Sequence, residues 1–161
     1  MNLAYGREVH VSSTDSGATA NVVDEDASTC FSTSSESQAY VVVQLDRSYT
    51  ISGVTLQTSP ASAGLLGNFQ VLVGSSIPST LADTSGSLCV HYTGTTTAST
   101  SETLTCSGDV SGQFVVVVVS SAAMHLCDLE IRGTPGECIA ACRLTSKLVS
   151  TSMVLLMTSA H

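Results

Sequence analysis

Short apolar runs, many of them alternating with Ser, Thr or Gln and closed by turn residues, recur along the chain. AYVVVQL (Ala39 to Leu45), YTISGVTLQ (Tyr49 to Gln57), NFQVLVG (Asn68 to Gly74) and LCVHY (Leu88 to Tyr92) have the length and β-branched content of strands. TLTC (Thr103 to Cys106), GQFVVVVVS (Gly112 to Ser120) and MHLCDLEIRG (Met124 to Gly133) follow. About seven or eight strands at this spacing predict a sandwich. The valines Val115 to Val119 are too uniform for a half-exposed strand, which predicts either a central strand covered on both sides or a face used for assembly. In MHLCDLEIRG the alternation puts His125, Cys127, Leu129 and Ile131 on one face and Asp128, Glu130 and Arg132 on the other. Cys127 is therefore expected to point inward and Asp128 outward.

The pattern changes after Gly133. TPGE is a break, dividing a body at 1–134 from a C-terminal extension at 135–161. ECIAACRLTSKLV suits a short helix, with Glu137 early and Lys147 late in the sense the helix dipole favours. STSMVLLMTSA (Ser150 to Ala160) reads as β-like, and its apolar run is well short of the roughly 20 residues that cross a membrane. It also makes a poorly formed lipid-anchor signal.

Composition strengthens the class. Ser, Thr and Val dominate and helix formers are sparse, so the fold class is all-β. Five Lys and Arg against thirteen Asp and Glu give a net charge of −8, which excludes the phosphate contacts of nucleic-acid binding and electrostatic attachment to anionic lipid. Six cysteines (Cys30, Cys89, Cys106, Cys127, Cys138 and Cys142) with no CxxC pair favour disulfides over zinc and point to an extracellular, secreted protein. Export ordinarily needs a signal peptide, and Met1 stands directly before the first strand-like stretch; a mature form or a displaced start is the expectation. TGTTTASTSET (Thr93 to Thr103) reads equally as an O-glycosylation patch or a flexible polar hairpin loop. His10, His91, His125 and His161 are scattered, with no HExxH or GxSxG stretch, so no enzyme is expected.

One stretch, NVVDEDASTC (Asn21 to Cys30), sets Asp24, Glu25 and Asp26 in a row just before a cysteine. It reads either as a solvated acidic loop or as a cation site.

The order NLAYGREVHVSST, NVVDEDASTCFSTS, YVVVQLDRSYTISGVTLQT, NFQVLVG, GQFVVVVV, LCDLEIRG resembles the discoidin, or coagulation-factor C-domain-like (galactose-binding-like), superfamily, and within it the F-type lectin branch. The resemblance runs from Asn2 to Gly133. It implies a jelly-roll-like antiparallel β-sandwich with a structural Ca²⁺ near one end. Carried over by position, the ligands are Asn21 through its carbonyl, Asp24, Asp26, Thr29, Cys127 through its carbonyl, and Asp128; a mixed set of this kind suits Ca²⁺. Glu25 stands where the family has Gly, which strains a turn needing φ > 0. The resemblance also pairs Cys30 with Cys127 and Cys89 with Cys106. Cys138 and Cys142 have no family counterpart; they join each other or bridge to other chains.

F-type lectins grip fucose with a His, an Arg-x-Asp and a further basic residue. Those positions fall here at Thr33, Thr58, Pro60 and Leu65, and TSPASAGLLGNF holds no charged residue. Charged, bidentate contact with sugar hydroxyls is thus absent. Leu65 and Leu66 are expected as an apolar loop tip, without a basic cluster to make it a lipid site. Two functions follow as expectations. One is an extracellular structural or adhesive module that self-assembles as a filament or surface layer, its tail adding to a neighbour's sheet, against the alternative that the tail packs on its own sandwich. The other is a divergent Ca²⁺-dependent lectin using other loop residues, with Tyr40 or Phe31 as a stacking face.

Overall fold

A computed structural model describes residues 1–58, 66–77 and 86–136 as antiparallel strand ladders around one main core. The strands are β1 (Glu8–Val11), β2 (Phe31–Ser32), β3 (Glu36–Thr58), β4 (Gly67–Gly74), β5 (Ser87–Thr95), β6 (Ser101–Ala122) and β7 (His125–Pro135), with a 3-10 turn at Thr19–Val22. The all-β expectation holds.

The strands read separately at Ala39–Leu45 and Tyr49–Gln57 are one strand of 23 residues, β3, and TLTC with GQFVVVVVS are parts of the 22-residue β6. Both bend where their pairing slips: Gln44 faces Phe114, and the next pair is Tyr49 with Gly112. At the bend Asp46 Oδ1 accepts a hydrogen bond from Tyr49 Oη at 3.0 Å and pairs with the Arg7 guanidinium at 3.3 Å. Gly112 is required there, since a Cβ would lie 2.4 Å from the Gly74 carbonyl oxygen. Each long strand therefore serves both layers of a sandwich. One layer is β1, the first half of β3, the second half of β6, β4 and β5; the other is the first half of β6, the second half of β3, β7 and β2.

The inner faces meet in the main core. Val41, Val43, Val115, Val117, Phe69 and Val71 come from the first layer. Ile51, Val54, Leu56, Leu129 and Ile131 come from the second, with Phe31 from β2. Two sequence expectations change here. Leu66 is no exposed tip: it is buried, its N–H donates to Thr96 Oγ1 and its carbonyl accepts from the Thr96 N–H. Phe31 is buried in the core and has no face free for a sugar.

Val115 to Val119 contribute to apolar clusters on both faces of β6. Val115, Val117 and Val119 enter the main core, while Val116 and Val118 join a second apolar cluster with Val42, Leu72 and Phe114. The connection from β5 to β6 is packed rather than a loose polar loop, because Thr96 is buried against Leu66.

Candidate functional site

The acidic stretch follows the 3-10 turn and folds over the start of β7. Asp24 organises it: Oδ1 accepts the Asp26 N–H at 3.0 Å and Oδ2 accepts the Thr29 hydroxyl at 2.6 Å. Asp26 is exposed and caps its own turn, accepting the Ser28 N–H at 2.9 Å; those Ser28 hydrogen bonds hold its carboxyl below the usual range. Its carbonyl accepts the Thr29 N–H at 3.0 Å. Asn21 reaches the far end of the loop, donating from Nδ2 to the Cys30 carbonyl at 3.0 Å. Glu25 adopts φ 60°, the left-handed conformation expected of the family's Gly at this place.

Across from the loop, β7 does not keep the regular alternation. Gln57 faces Asp128 but Thr58 faces Leu126, so Cys127 is an unpaired extra residue, a bulge. The bulge lets Leu126 and Leu129 both enter the core. A disulfide joins Cys127 to Cys30 and fixes loop to strand; a second joins Cys89 to Cys106. Cys138 and Cys142 lie outside the described residues, as do Pro60, Leu65, His161 and the predicted helix and strand of the extension.

Asp128 and Glu130 share the outward side of β7, as the alternation predicts, and both line one cleft. Asp128 is nevertheless largely covered. It is only 8% exposed, because the acidic loop lies over it, and its Oδ1 has no hydrogen-bond partner. Burial pushes its carboxyl up to about 6. The N–H groups of Leu129 and Glu25 act in the opposite direction, while the charges of Glu130 and Asp24 raise it further.

Among the described residues Arg7 pairs with Asp46 and His10 lies 3.6 Å from Glu8, while Asp24, Glu25, Asp128 and Glu130 are left without a cationic neighbour there. The described residues hold no group of three or more His, Cys, Asp or Glu side chains arranged to bind a metal. The ligands that the resemblance implies also include a hydroxyl and backbone oxygens, besides the carboxylates of Asp24, Asp26 and Asp128. Of these, the buried, unpartnered Asp128 oxygen is the group that a hard cation would satisfy.

The cleft beside the loop has a volume of about 170 Å³ and is lined by Glu25, Thr55, Gln57, Ser101 and Glu130 as well as Asp128. Sequence reasoning missed Thr55, Gln57, Ser101 and Glu130. The alternation that placed Glu130 beside Asp128 was the available signal. Asn2 was also missed: its Oδ1 accepts the N–H groups of Ala4 and Ile131, and its Nδ2 donates to Glu25 Oε1. It thereby ties the first residues to β7 and to the acidic loop.

The family's sugar-contact positions have structural work instead. Thr33 is 1% exposed; its hydroxyl accepts the Met124 N–H at 2.9 Å and donates to the Ser34 carbonyl. Thr58 is 0% exposed, and its hydroxyl lies 2.7 Å from the Thr97 carbonyl and 3.1 Å from that of Thr100. Neither faces a ligand. His125 is half-buried on β7, and His91 Nε2 pairs with Asn68 Oδ1 at 2.8 Å on the other layer.

Comparison with known proteins agrees with this architecture. A fucolectin from striped bass (Morone saxatilis) serum superposes with a TM-score of 0.75 at 18% identity over 85% of this chain, which spans about half (48%) of that lectin. A fucose-binding module of Streptococcus pneumoniae gives 0.67 at 17% identity, covering 81% of this chain and 94% of the module. Chitosan-binding module 2 of a Paenibacillus sp. IK-5 chitosanase/glucanase gives 0.68 at 19% identity, covering 82% and 100%. These likenesses establish the sandwich. No curated protein sequence matches the chain. Residues 21–117, which run from the acidic loop into the valine run of β6, match the family described as NedA-like, galactose-binding domain, and the chain belongs to that family.

Proposed function

We propose that the chain is a non-catalytic, secreted glycan-recognition module whose ligand-facing end is set by a structural Ca²⁺. The observation that carries the reading is Asp128: a carboxylate buried beneath an acidic loop, with one oxygen unpartnered and no cation beside it. Asp24, Asp128 and the oxygens of Asn21, Thr29 and Cys127 would hold the ion; bound there, it would supply the positive charge that lets loop and strand meet. Asp26, turned to Ser28 and solvent, is the least committed of the expected ligands.

The sugar-binding half of the proposal rests on the kinds of module that share the sandwich, described as fucose- and chitosan-binding. With Thr33 and Thr58 buried, a fucose grip of the F-type kind is not available to this chain. The cleft beside the loop offers uncharged donors and acceptors, Thr55, Gln57 and Ser101, together with the acceptors Glu25 and Glu130. Sugar hydroxyls suit that set. Two disulfides fit an oxidising compartment, and no helix among the described residues is long and apolar enough to cross a membrane. Whether the module also assembles into a filament or layer turns on what covers the outer face of its five-stranded layer.

The test is a glycan array run with calcium and with chelator, beside a Glu130→Gln variant. Calcium-dependent binding that the variant weakens supports the reading. A folded, calcium-loaded protein that binds no glycan rejects the sugar half; binding unaffected by chelation rejects the role given to the ion.

A further inference from the structure

The outer face of the five-stranded layer departs from the rule that outward positions on a half-solvated sheet are polar. At its ends Gln38, Gln44 and Ser120 follow the rule. Between them stand Val42, Leu72, Phe114, Val116 and Val118, with Tyr40 packed alongside. Yet among the described residues no element forms a layer over them. The chief contacts of β6 are with β3, β4 and β5, and the 3-10 turn meets β1, β2 and β7.

We propose that residues 137–161 of the same molecule cover this face. The segment starts in the right place. The Gly136 N–H donates to the Ser48 carbonyl at the bend of β3, four positions along the chain from Gln44, whose partner is Phe114. The face continues from there to Tyr40 and Val118, eight β3 residues from Ser48, roughly 26 Å at about 3.3 Å per residue. Twenty-five residues reach that far whether extended, at about 80 Å, or helical, at about 37 Å.

The segment also has the composition. CIAAC, LVS and MVLLM supply aliphatic and Met side chains suited to an apolar sheet surface. The other stretches outside the described residues do not: SPASAGL (59–65) and PSTLADTS (78–85) each hold a single Leu. Attachment at Gly136 gives the segment a high effective concentration at its own face compared with a neighbour's. The proposal stands whether or not the chain binds calcium or glycan.

The experiment is hydrogen exchange of the full chain read by mass spectrometry, with sedimentation over a range of concentrations. Amides of 137–161 are expected to exchange at least about tenfold more slowly than their intrinsic rate in a monomer. Val118→Gln and Leu72→Gln, each on the outer face, should return the segment toward its intrinsic rate, while β6 and β7 amides stay protected and show that the sandwich is intact. Exchange at the intrinsic rate in the unsubstituted monomer overturns the proposal. Protection that appears only in concentration-dependent oligomers also overturns it, and assigns the face to a second copy or to a neighbour's tail.

Discussion

Replacing Asp128 by Asn should make the calcium-free protein more stable and leave it indifferent to calcium. Burial beneath the acidic loop moves the Asp128 carboxyl from 3.8 to about 6. At 1.36 kcal/mol for each tenfold change, ionising it in the folded chain at neutral pH costs at most about 3 kcal/mol. Solvent reaches the group through the open cleft, and screening lowers the expected figure to about 1–2 kcal/mol. Asn keeps the shape and removes the charge, so that cost disappears in the variant. In a domain of this size 1 kcal/mol moves Tm by roughly 3 °C, which sets the variant about 3–6 °C above wild type in chelator. Calcium reverses the order. At a hundred times its dissociation constant it stabilises the wild-type fold by about 2.7 kcal/mol, and the variant, lacking the anionic ligand, gains little. Calorimetry of both proteins, with chelator and with calcium, gives four melting temperatures. Two results refute the reasoning: a variant that melts below wild type in chelator, or a variant that calcium raises as far as it raises wild type.

Three further outcomes can be checked by denaturant titration. In chelator, the folded state holds a proton on Asp128 between about pH 4 and 6 that the unfolded chain has released; this part of the stability is therefore full below about pH 4 and lost as pH rises to about 6, and the difference between wild type and Asp128→Asn isolates it from the opposite effect of Asp46, whose carboxyl is held low by Tyr49. Glu25→Gly should be more stable than Glu25→Ala by about 1 kcal/mol, because φ of 60° strains any residue with a Cβ; equal stabilities would show that the turn relaxes. Thr58→Val keeps the shape but leaves the Thr97 and Thr100 carbonyls short of a donor, and should cost about 1–3 kcal/mol without altering any glycan binding measured on an array.

The layer structure and the position of the acidic loop were legible because each is written locally. Periodicity of two marks the strands, and DED beside the Cys30 that meets Cys127 marks the loop. Three things were not local. The bends that carry β3 and β6 from one layer to the other depend on which strand lies opposite, so YVVVQL and YTISGVTLQ read as separate strands. The bulge at Cys127 is a matter of register with Thr58, and without it the alternation turns Leu126 outward beside Asp128. The cover over Asp128 comes from a loop a hundred residues away in sequence, and burial at that distance has no signature in MHLCDLEIRG.

The sugar positions show a different kind of limit. Absence of charge at Thr33 and Thr58 reads from sequence as a binding site that has been lost and left empty. Each hydroxyl is in fact occupied, Thr33 on the Met124 N–H and Thr58 on the carbonyls of Thr97 and Thr100. A ligand-gripping His or Arg must keep its polar end facing outward, whereas a short β-branched hydroxyl can turn inward and close a turn. Restoring charge at Thr33 or Thr58 would then break packing before it created affinity. Any ligand of this module has to be met elsewhere on its surface, and the cleft beside Asp128 is the polar concavity that the acidic loop itself builds.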